Sequence, residues 1–361
     1  MSSKKAEVVQ IDRIDPHPNA DRLEIVRVYD YTIVVGKGEF KPGDRAIYVP
    51  VDMVVPLTEN WKWLHDDKPK NCRVKAKKLR GIVSYGLIVP LQCEDWATGQ
   101  DVSGEMGIVP YTPPEPKAQT NYRRYKEELN ALPKYTDIEN LQRYPGVLIP
   151  MEPVYVTEKI HGCNARFGWI DGKWYVGSHR IVRRAVADRL GPLRQAYRWL
   201  RGWKEDVPPD IWWKVAKQYG LKDKLKQFPG LVFFGEIYGD VQDLRYGCRS
   251  GELRLAIFDI HGPRGYWSWP EVVVLCDYLG LPIVPTISPV ARLMDGRRVP
   301  TPAYSFDSLN EGPSLVPGAN HLREGCVIRP INERYDGRVG RVIFKLINPD
   351  YLVRKDGTEM K

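Results

Sequence analysis

The sequence has few cysteines, and their spacing fits neither a disulfide framework nor a zinc centre. Six cysteines are scattered over 361 residues, with no C-x-x-C pair and no histidine at zinc-ligand spacing. A disulfide-rich secreted fold and a structural zinc site are therefore not expected. Scattered thiols in a chain of this length are typical of proteins in a reducing compartment.

Long apolar runs and internal repeats are also missing. No stretch approaches the ~18 consecutive apolar residues that a membrane-spanning helix requires. The first residues, Met1 to Glu7, are polar and carry lysines, so no signal peptide is expected. These absences predict a soluble, cytoplasmic protein that does not contact a membrane.

Length and charge indicate two domains and a polyanionic partner. The chain exceeds the size of a typical single domain. Its 54 Lys and Arg outnumber its 45 Asp and Glu, which gives a formal charge of +9. This excess favours nucleic acid as a partner, although a basic surface can equally serve solubility.

The first region, residues 1–112, has the pattern of an all-β domain. Short apolar runs alternate with turn signals at the spacing of a small β-barrel or sandwich. A proline-dense stretch, Tyr111–Lys117, then predicts a linker over 113–134, because closely spaced prolines keep a chain extended. The strands predicted in this region are Leu23–Val28, Tyr31–Val35, Arg45–Val51 and Gly86–Val89.

The second region, residues 135–361, mixes strands with helical patterns and predicts an α+β domain with antiparallel sheets. A basic, Trp-rich stretch over 184–226 is interpreted as a packed helical pair, with base stacking as the alternative. Another helix is predicted at Pro270–Leu279. The predicted strands are Val154–Glu158, Ala165–Trp169, Trp174–Gly177, Leu231–Tyr238, Leu253–Ile260, Gly325–Arg329 and Val342–Leu346.

The segment with the clearest chemical signature is Thr157–Asn164, Thr-Glu-Lys-Ile-His-Gly-Cys-Asn. It places Lys159 at the end of an apolar strand. A lysine amine, with a pKa of about 10.4, is a nucleophile only when it is desolvated or close to other cations. The end of a buried strand meets that need, and Gly162 would let the backbone approach a nucleotide. Taken alone, the segment fits a surface lysine at a strand end equally well.

Three further apolar strands each carry an isolated charge. Glu236 lies in Phe-Phe-Gly-Glu-Ile-Tyr-Gly, Glu324 opens Glu-Gly-Cys-Val-Ile-Arg-Pro, and Lys345 interrupts Arg-Val-Ile-Phe-Lys-Leu-Ile. A buried carboxylate must be paired, hydrogen-bonded or metal-bound. Each charge alone could belong to a core ion pair. Two carboxylates and two lysines together predict one shared polyphosphate and metal site.

The order of these motifs resembles the covalent nucleotidyltransferase superfamily of ATP-dependent ligases and mRNA-capping enzymes. The likeness covers about 150–352, and Lys-x-His-Gly-x-Asn at Lys159–Asn164 is similar to RNA ligases rather than to the Lys-x-Asp-Gly of most DNA ligases. The resemblance implies a nucleotidyltransferase (adenylation) domain that uses ATP with Mg²⁺ or Mn²⁺. It also implies a covalent lysyl-AMP intermediate.

The resemblance further implies a role for each matching residue. Lys159 would carry the AMP, and Phe258 would stack on the adenine, although it could equally be a core residue. Ile347 stands where many relatives have a second lysine, so Lys345 would act there alone. The implied residues are Lys159, His161, Asn164 and Lys345 for catalysis, Glu158, Arg180, Glu236, Phe258 and Lys345 for nucleotide binding, and Glu324 for the metal.

The first region carries a second resemblance, to the tRNA-binding OB domains of aminoacyl-tRNA synthetases. It rests on Asp15–Glu24, Asp-Pro-His-Pro-Asn-Ala-Asp-Arg-Leu-Glu, and on Lys78–Leu87, Lys-Leu-Arg-Gly-Ile-Val-Ser-Tyr-Gly-Leu. A basic cluster here could follow a phosphate backbone or could be a solvated strand edge. The cluster consists of Lys75, Lys77, Lys78 and Arg80.

An OB domain ahead of a Lys-x-His-Gly core resembles the Deinococcus-type RNA ligases, as does Tyr135–Leu141 before the Lys motif. The likeness then covers nearly the whole chain, and no C-terminal OB domain is expected. It implies sealing of nicks in RNA-containing duplexes, and we expect a monomer. The open alternatives are a GTP-dependent capping-type guanylyltransferase and a non-catalytic RNA-binding protein.

Overall fold

The chain forms two compact units in the computed structural model, which describes residues 4–65, 68, 72–112, 131–149, 152–179, 181–183, 210–292 and 309–354. The first unit comprises Met1–Pro113, Glu139–Val147 and Leu346–Lys355, and the second comprises the remainder. The division therefore differs from the boundary predicted from the sequence, since the two short segments after residue 135 belong to the first unit.

The first unit consists mainly of short antiparallel strands. Three of them pair in the order β1-β5-β9 and three in the order β2-β3-β4. The four strands predicted here are all present, each within one residue of its predicted bounds. The strands are β1 Glu7–Gln10, β2 Ile14–Pro16, β3 Leu23–Val28, β4 Tyr31–Gly36, β5 Arg45–Pro50, β6 Met53–Val54, β7 Lys77–Leu79, β8 Ile82–Ser84, β9 Gly86–Pro90, β10 Val109–Pro110 and β11 Glu139–Asn140.

Short helical turns complete the first unit, and two apolar clusters form its core. One-turn helices lie at Lys62–His65 and Pro349–Leu352, and 3₁₀ turns at Glu59–Trp61 and Leu141–Arg143. Alternate residues of β4 are buried, because successive side chains of a strand point to opposite faces. The strands thus enclose an apolar interior, as the alternating pattern predicted.

The described part of the second unit contains two large antiparallel sheets and a two-stranded one formed by β21 and β22. Six strands pair in the order β15-β14-β13-β16-β17-β18, and the other sheet contains β23, β20, β12 and β19 in that order. All seven predicted strands are present, although the last begins two residues later than predicted. The strands are β12 Pro153–Lys159, β13 Cys163–Ile170, β14 Lys173–Ser178, β15 Val182–Arg183, β16 Val232–Gly239, β17 Leu253–Gly262, β18 Gly265–Tyr266, β19 Thr286–Arg292, β20 Gly325–Pro330, β21 Tyr335–Asp336, β22 Gly340–Arg341 and β23 Phe344–Ile347.

Three helices, α1 Ile211–Gln218, α2 Leu221–Lys224 and α3 Trp269–Tyr278, accompany these sheets, with a 3₁₀ turn at Leu225–Gln227. Helix α3 confirms the helix predicted at Pro270–Leu279. It begins at a capping box, in which the Ser268 amide donates to the Glu271 carboxylate at 2.8 Å. It ends before Gly280, whose φ of 58° suits a helix terminus.

The Trp-rich stretch is only partly described, since residues 184–209, with Trp199 and Trp203, lie outside the described residues. The remaining part forms α1 and α2. Trp212 is buried and donates its indole N–H to the Asn164 carbonyl at 2.9 Å, while Trp213 donates to the Arg183 carbonyl at 3.0 Å. These two tryptophans therefore pack against the sheet, as a packed helical arrangement requires.

A buried ionic cluster is centred on Asp259, a residue of β17. The carboxylate accepts hydrogen bonds from the Tyr135 hydroxyl at 2.8 Å and from Arg341 at 2.7 Å, and Arg329 lies 3.2 Å away. Glu333 pairs with the other side of the Arg341 guanidinium. Because Asp259, Arg329 and Arg341 are buried, their partners are needed to offset the cost of desolvation.

Among the described residues, no helix combines the length and apolarity needed to cross a lipid bilayer.

Candidate active site

Strand pairing brings Lys159 and Glu324 together. Lys159 is the last residue of β12 and lies opposite Gly325, the first residue of β20, so Glu324 directly precedes its partner. The Lys159 Nζ is 2.7 Å from Glu324 Oε1. The lysine side chain keeps 30% of its exposure and the glutamate side chain 10%, so the pair lines a partly open site.

The electrostatic environment of Lys159 differs from the one expected of an activated nucleophile. Burial alone would lower the pKa of its amine, but the carboxylates of Glu324 and Glu236 outweigh burial and raise that pKa above its usual value. The desolvation expected from the sequence is present, but in the protein without nucleotide these charges reverse its effect on the pKa. The amine is held as an ammonium ion, chiefly by the Glu324 carboxylate at 2.7 Å.

Glu236 and Asn164 occupy facing positions on neighbouring strands. In the pairing of β13 with β16, Asn164 lies opposite Glu236. Burial, with a further contribution from the Glu324 charge, raises the pKa of Glu236 to about 8, although Lys159 acts in the opposite direction. The predicted carboxylates and the Lys motif are thus electrostatically coupled within one site.

Two oxygen atoms of this site are suited to a divalent cation. Glu324 Oε2 and Asn164 Oδ1 are both buried and accept no hydrogen bond. Carboxylate and amide oxygens are the ligands that Mg²⁺ and Mn²⁺ prefer. Within the described part of the chain, no three acidic, Cys or His side chains form a metal cluster. An ion held by the Glu324 and Asn164 oxygens would take few protein ligands, as Mg²⁺ usually does at phosphate-binding sites.

The turn after Lys159 is held by a loop that follows β16. Gln242 donates to the Gly162 carbonyl, the Asp243 carboxylate contacts His161 Nε2 at 2.9 Å, and the Tyr246 hydroxyl accepts from the His161 amide at 2.6 Å. The sequence analysis did not identify these three residues. The signal was available, since a Gln-Asp pair and a tyrosine follow the Glu236 strand within ten residues.

Gly162 is needed for a reason additional to the one predicted. Its φ does not lie in the left-handed region, but a Cβ at this position would overlap the Ile237 carbonyl oxygen of the neighbouring strand. The missing side chain therefore allows β16 to approach the Lys motif closely. Whether it also admits a nucleotide stays a prediction.

Glu158 lies away from the Lys159 cluster. Successive residues of a strand point to opposite faces, so its side chain leaves β12 on the side opposite Lys159. Its carboxylate accepts from the Ser314 hydroxyl and from the Leu315 amide, both at 2.6 Å, and burial raises its pKa. The carboxylate holds the 314–315 segment against β12, and its predicted contact with nucleotide stays untested.

Phe258 occupies an irregular position in β17. The pairing with β16 shifts between Phe234 and Gly235, which leaves Phe258 as the extra residue of a bulge. Bulges redirect a side chain and are common beside active sites. The ring is half-buried and lies 4.9 Å from the Tyr135 ring in an edge-on arrangement. Both predicted alternatives, adenine stacking and core packing, are compatible with this position.

Lys345 and Arg180 are the other two residues predicted to contact the nucleotide. Lys345 is partly exposed on β23, the strand next to β20 in the sheet that carries Lys159. Ile347 follows it on the same face of the strand, also partly exposed. Arg180 lies outside the described residues.

The basic cluster of the first unit lies on the hairpin formed by β7 and β8 and on the residues just before it. Lys75, Lys77, Lys78 and Arg80 are all exposed, and Lys78 forms an ion pair with Asp350 at 2.9 Å. The Asp15–Glu24 motif supports this hairpin. His17 Nε2 lies 3.2 Å from the Leu79 carbonyl, and Asn19 donates to the Arg80 carbonyl at 3.2 Å. The motif therefore fixes the turn from which the basic side chains project.

Two protein-family models match the two units. An OB-fold domain model matches residues 5–91, and the RNA ligase model matches residues 152–347, which is more than half of the chain. The predicted fold is thereby confirmed as an N-terminal OB-fold domain followed by a nucleotidyltransferase domain.

Individual relatives agree with this assignment. Naegleria gruberi RNA ligase with PPi is 22% identical, with a TM-score of 0.72 over 97% of this chain and 98% of that chain. Variants of that enzyme with ATP and Mn and with AMP and Mn give TM-scores of 0.73 at 22% identity. At this identity the likeness shows a shared fold.

Curated relatives match a short part of the chain. The phenylalanine–tRNA ligase beta subunits of Chlamydia caviae and Chlamydia abortus are 34% identical over 76 residues and 38% over 72 residues, each 20% of this chain. The chain spans 8% of the length of these relatives.

Proposed function

We propose that this chain, which belongs to the RNA ligase family, is an ATP-dependent RNA ligase that joins a 3′-hydroxyl to a 5′-phosphate through a lysyl-AMP on Lys159. The observation that carries this proposal is the Lys159 amine, held 2.7 Å from the Glu324 carboxylate and coupled to Glu236. A lysine paired with a carboxylate at a partly open site can bind a nucleotide phosphate once that carboxylate is neutralised or displaced.

In the first step, the Lys159 amine must lose its proton before it can attack. The nitrogen then forms a bond to the α-phosphorus of ATP, and the bond from that phosphorus to the pyrophosphate oxygen breaks. Since Glu324 and Glu236 now stabilise the ammonium form, neutralising their charge favours the free amine. The oxygens that would hold Mg²⁺ or Mn²⁺ are Glu324 Oε2 and Asn164 Oδ1, and a bound ion would supply that neutralisation and stabilise phosphate charge.

The two later steps transfer AMP and then release it. The 5′-phosphate of a strand attacks the phosphorus of lysyl-AMP, the N–P bond breaks, and a 5′–5′ pyrophosphate linkage forms. The 3′-hydroxyl of the neighbouring strand then attacks the 5′-phosphate phosphorus, loses its proton, and AMP leaves. His161 and Asn164, which flank the Gly162 turn, are the residues we assign to these steps, and Lys345 would contact phosphate.

The decisive test is covalent labelling with α-labelled ATP and, separately, GTP. The protein is first treated with pyrophosphate to remove any AMP already attached, and then freed of pyrophosphate. We expect label on the chain from ATP and no label on Lys159→Ala, because only the amine can form the phosphoramide bond. Lys173→Ala, which removes an exposed lysine from strand β14 of the other sheet, is the matched control and should label normally. Label from GTP would indicate a capping-type enzyme, and no label from either nucleotide would favour a non-catalytic RNA-binding protein.

We further propose that the ligase is of the Deinococcus type and seals nicks in RNA-containing duplexes. The order of an OB-fold domain and a Lys-x-His-Gly core supports this assignment. The test is sealing of nicked duplexes that differ only in a ribose or deoxyribose at the 3′-hydroxyl end. We expect faster sealing with ribose, and equal rates for the two sugars would contradict the proposed preference.

A further inference from the structure

We propose that Asp243 is a positioning residue that fixes the His161 imidazole of the Lys motif, an inference that rests on the proposed ligase function. Asp243 Oδ1 lies 2.9 Å from His161 Nε2, while His161 Nδ1 lies 3.8 Å from Glu324 Oε2. The histidine thus lies between the loop carboxylate and the carboxylate that contacts the Lys159 amine.

The shorter of the two distances places a proton on Nε2 of the imidazole. At 2.9 Å the Nε2 contact is a hydrogen bond, and a carboxylate can only accept, so the proton is on Nε2. At 3.8 Å the Nδ1 contact exceeds hydrogen-bond length. Nδ1 therefore faces the Glu324 side of the site without a hydrogen bond to that carboxylate, while Asp243 orients the ring from Nε2, as carboxylates orient the histidines of metal and catalytic sites.

The loop that carries Asp243 is held by contacts that do not involve the Asp243 side chain. The loop can therefore fold without the hydrogen bond between Asp243 and His161. Asp240 accepts from the Gly251 amide at 2.7 Å and pairs with Arg245 at 3.0 Å, which closes the loop on itself. Tyr246 is fully buried, with its ring 5.2 Å from the Tyr238 ring. By contrast, the Asp243 side chain remains 23% exposed. Its removal should leave the loop folded.

The first arm of the test measures the histidine directly. The chain has six histidines, so ring ¹⁵N–¹H correlation spectra, with His161→Ala to assign the signal, can report the tautomer of His161. We expect the Nε2–H form in the unmodified protein and in Asp243→Asn, whose amide oxygen can still accept. In Asp243→Ala the fixed tautomer should be lost. An unchanged His161 signal in Asp243→Ala would overturn the proposal.

The second arm measures function, as rates of lysyl-AMP formation and of sealing a pre-adenylated nick. In whichever step His161→Ala slows, we expect Asp243→Ala to slow the reaction by about 10- to 100-fold, with partial rescue in Asp243→Asn. Adding Asp243→Ala to His161→Ala should produce no further loss, because Asp243 acts through the histidine. An equal additional loss in the double variant would overturn the proposal.

Two controls separate positioning from folding. Asp277→Ala removes an exposed carboxylate of α3 and should change neither spectrum nor rate. Asp240→Ala breaks the loop closure and should lower the melting temperature while the His161 tautomer is retained. If no variant, including the unmodified protein, forms lysyl-AMP, the ligase proposal fails, and the spectra still decide whether Asp243 orients His161.

Discussion

At the residue scale, the acidic side chains of the site keep the Lys159 amine protonated until a bound cation neutralises their charge. Lys159 faces two carboxylates, and they raise the pKa of its amine although burial opposes them. Burial, with a further contribution from the Glu324 charge, raises the pKa of Glu236 to about 8, although Lys159 acts in the opposite direction. One ammonium ion therefore cannot stabilise two carboxylates in this partly buried site. The protein without ligands carries an electrostatic conflict that a cation would relieve.

This conflict predicts a pH-dependent stability due to Glu236. The folded carboxyl keeps its proton up to pH about 8, whereas the ordinary value is 4.5. Between these pH values the folded state binds the additional proton, so the free energy of unfolding falls as pH rises, by up to about 1.4 kcal/mol per pH unit. Below pH 4.5 both states are protonated, and the contribution is then constant.

The measurement is urea unfolding from pH 5 to pH 8 without nucleotide or divalent ions. Glu236→Gln, which mimics the protonated carboxyl, should flatten the decline and be more stable than the unmodified protein at pH 8. Glu105→Gln, at an exposed position, is the matched control and should keep the original slope. A Glu236→Gln profile parallel to that of the unmodified protein would show that another group controls stability in this range.

At the element scale, the close approach of β16 to the Lys motif depends on Gly162. A Cβ here would overlap the Ile237 carbonyl and lie 3.0 Å from the Glu236 side chain. We expect Gly162→Ala to displace the strand that carries Glu236, lowering the melting temperature and slowing lysyl-AMP formation by at least about tenfold. Gly337→Ala, where a Cβ would meet nothing within 4 Å, should leave both unchanged. Normal labelling by Gly162→Ala would show that the strand spacing is not critical.

The strands that carry the chemistry were predictable because their apolar runs are short and are bounded by turn residues. Lys159, Glu236 and Glu324 could each be assigned to a strand end or interior, and the isolated charges among apolar residues indicated a shared site. Pairing of β12 with β20 and of β13 with β16 then brought these residues together. The pairing itself depends on contacts distant in sequence, which periodicity does not encode.

The parts that could not be predicted are those determined by tertiary contacts. Asp243 contacts His161 across 82 positions of sequence, and Ser314 contacts Glu158 across 156. No local pattern distinguishes such a residue from an ordinary loop residue. The direction of the Lys159 pKa shift could not be predicted for the same reason, since it follows from the charges of Glu324 and Glu236, which are distant in sequence.

At the scale of the whole molecule, the basic hairpin of the first unit is our candidate nucleic-acid surface. Its four basic side chains are exposed, and the Asp15–Glu24 motif supports the hairpin beneath them. Deleting residues 1–112 would be a poor test of whether this hairpin binds nucleic acid. The segments Glu139–Val147 and Leu346–Lys355 belong to the same unit and would lose their packing partners. Replacing the four basic residues by neutral ones keeps the fold and tests only their electrostatic contribution to nucleic-acid binding.

We therefore expect replacement of Lys75, Lys77, Lys78 and Arg80 by Gln to weaken binding and sealing of a nicked duplex but to spare lysyl-AMP formation. Each lost phosphate contact should reduce the slope of log affinity against log salt by about 0.9 for a duplex, because fewer counterions are released. The matched control replaces four exposed lysines of the second unit, Lys214, Lys217, Lys222 and Lys226, and should retain the original slope. If the hairpin variant keeps both its salt slope and its sealing rate, the basic cluster is a solvated strand edge. If only the hairpin variant shows a smaller salt slope and slower sealing, substrate binding is assigned to the OB-fold domain and nucleotide chemistry to the Lys159 site.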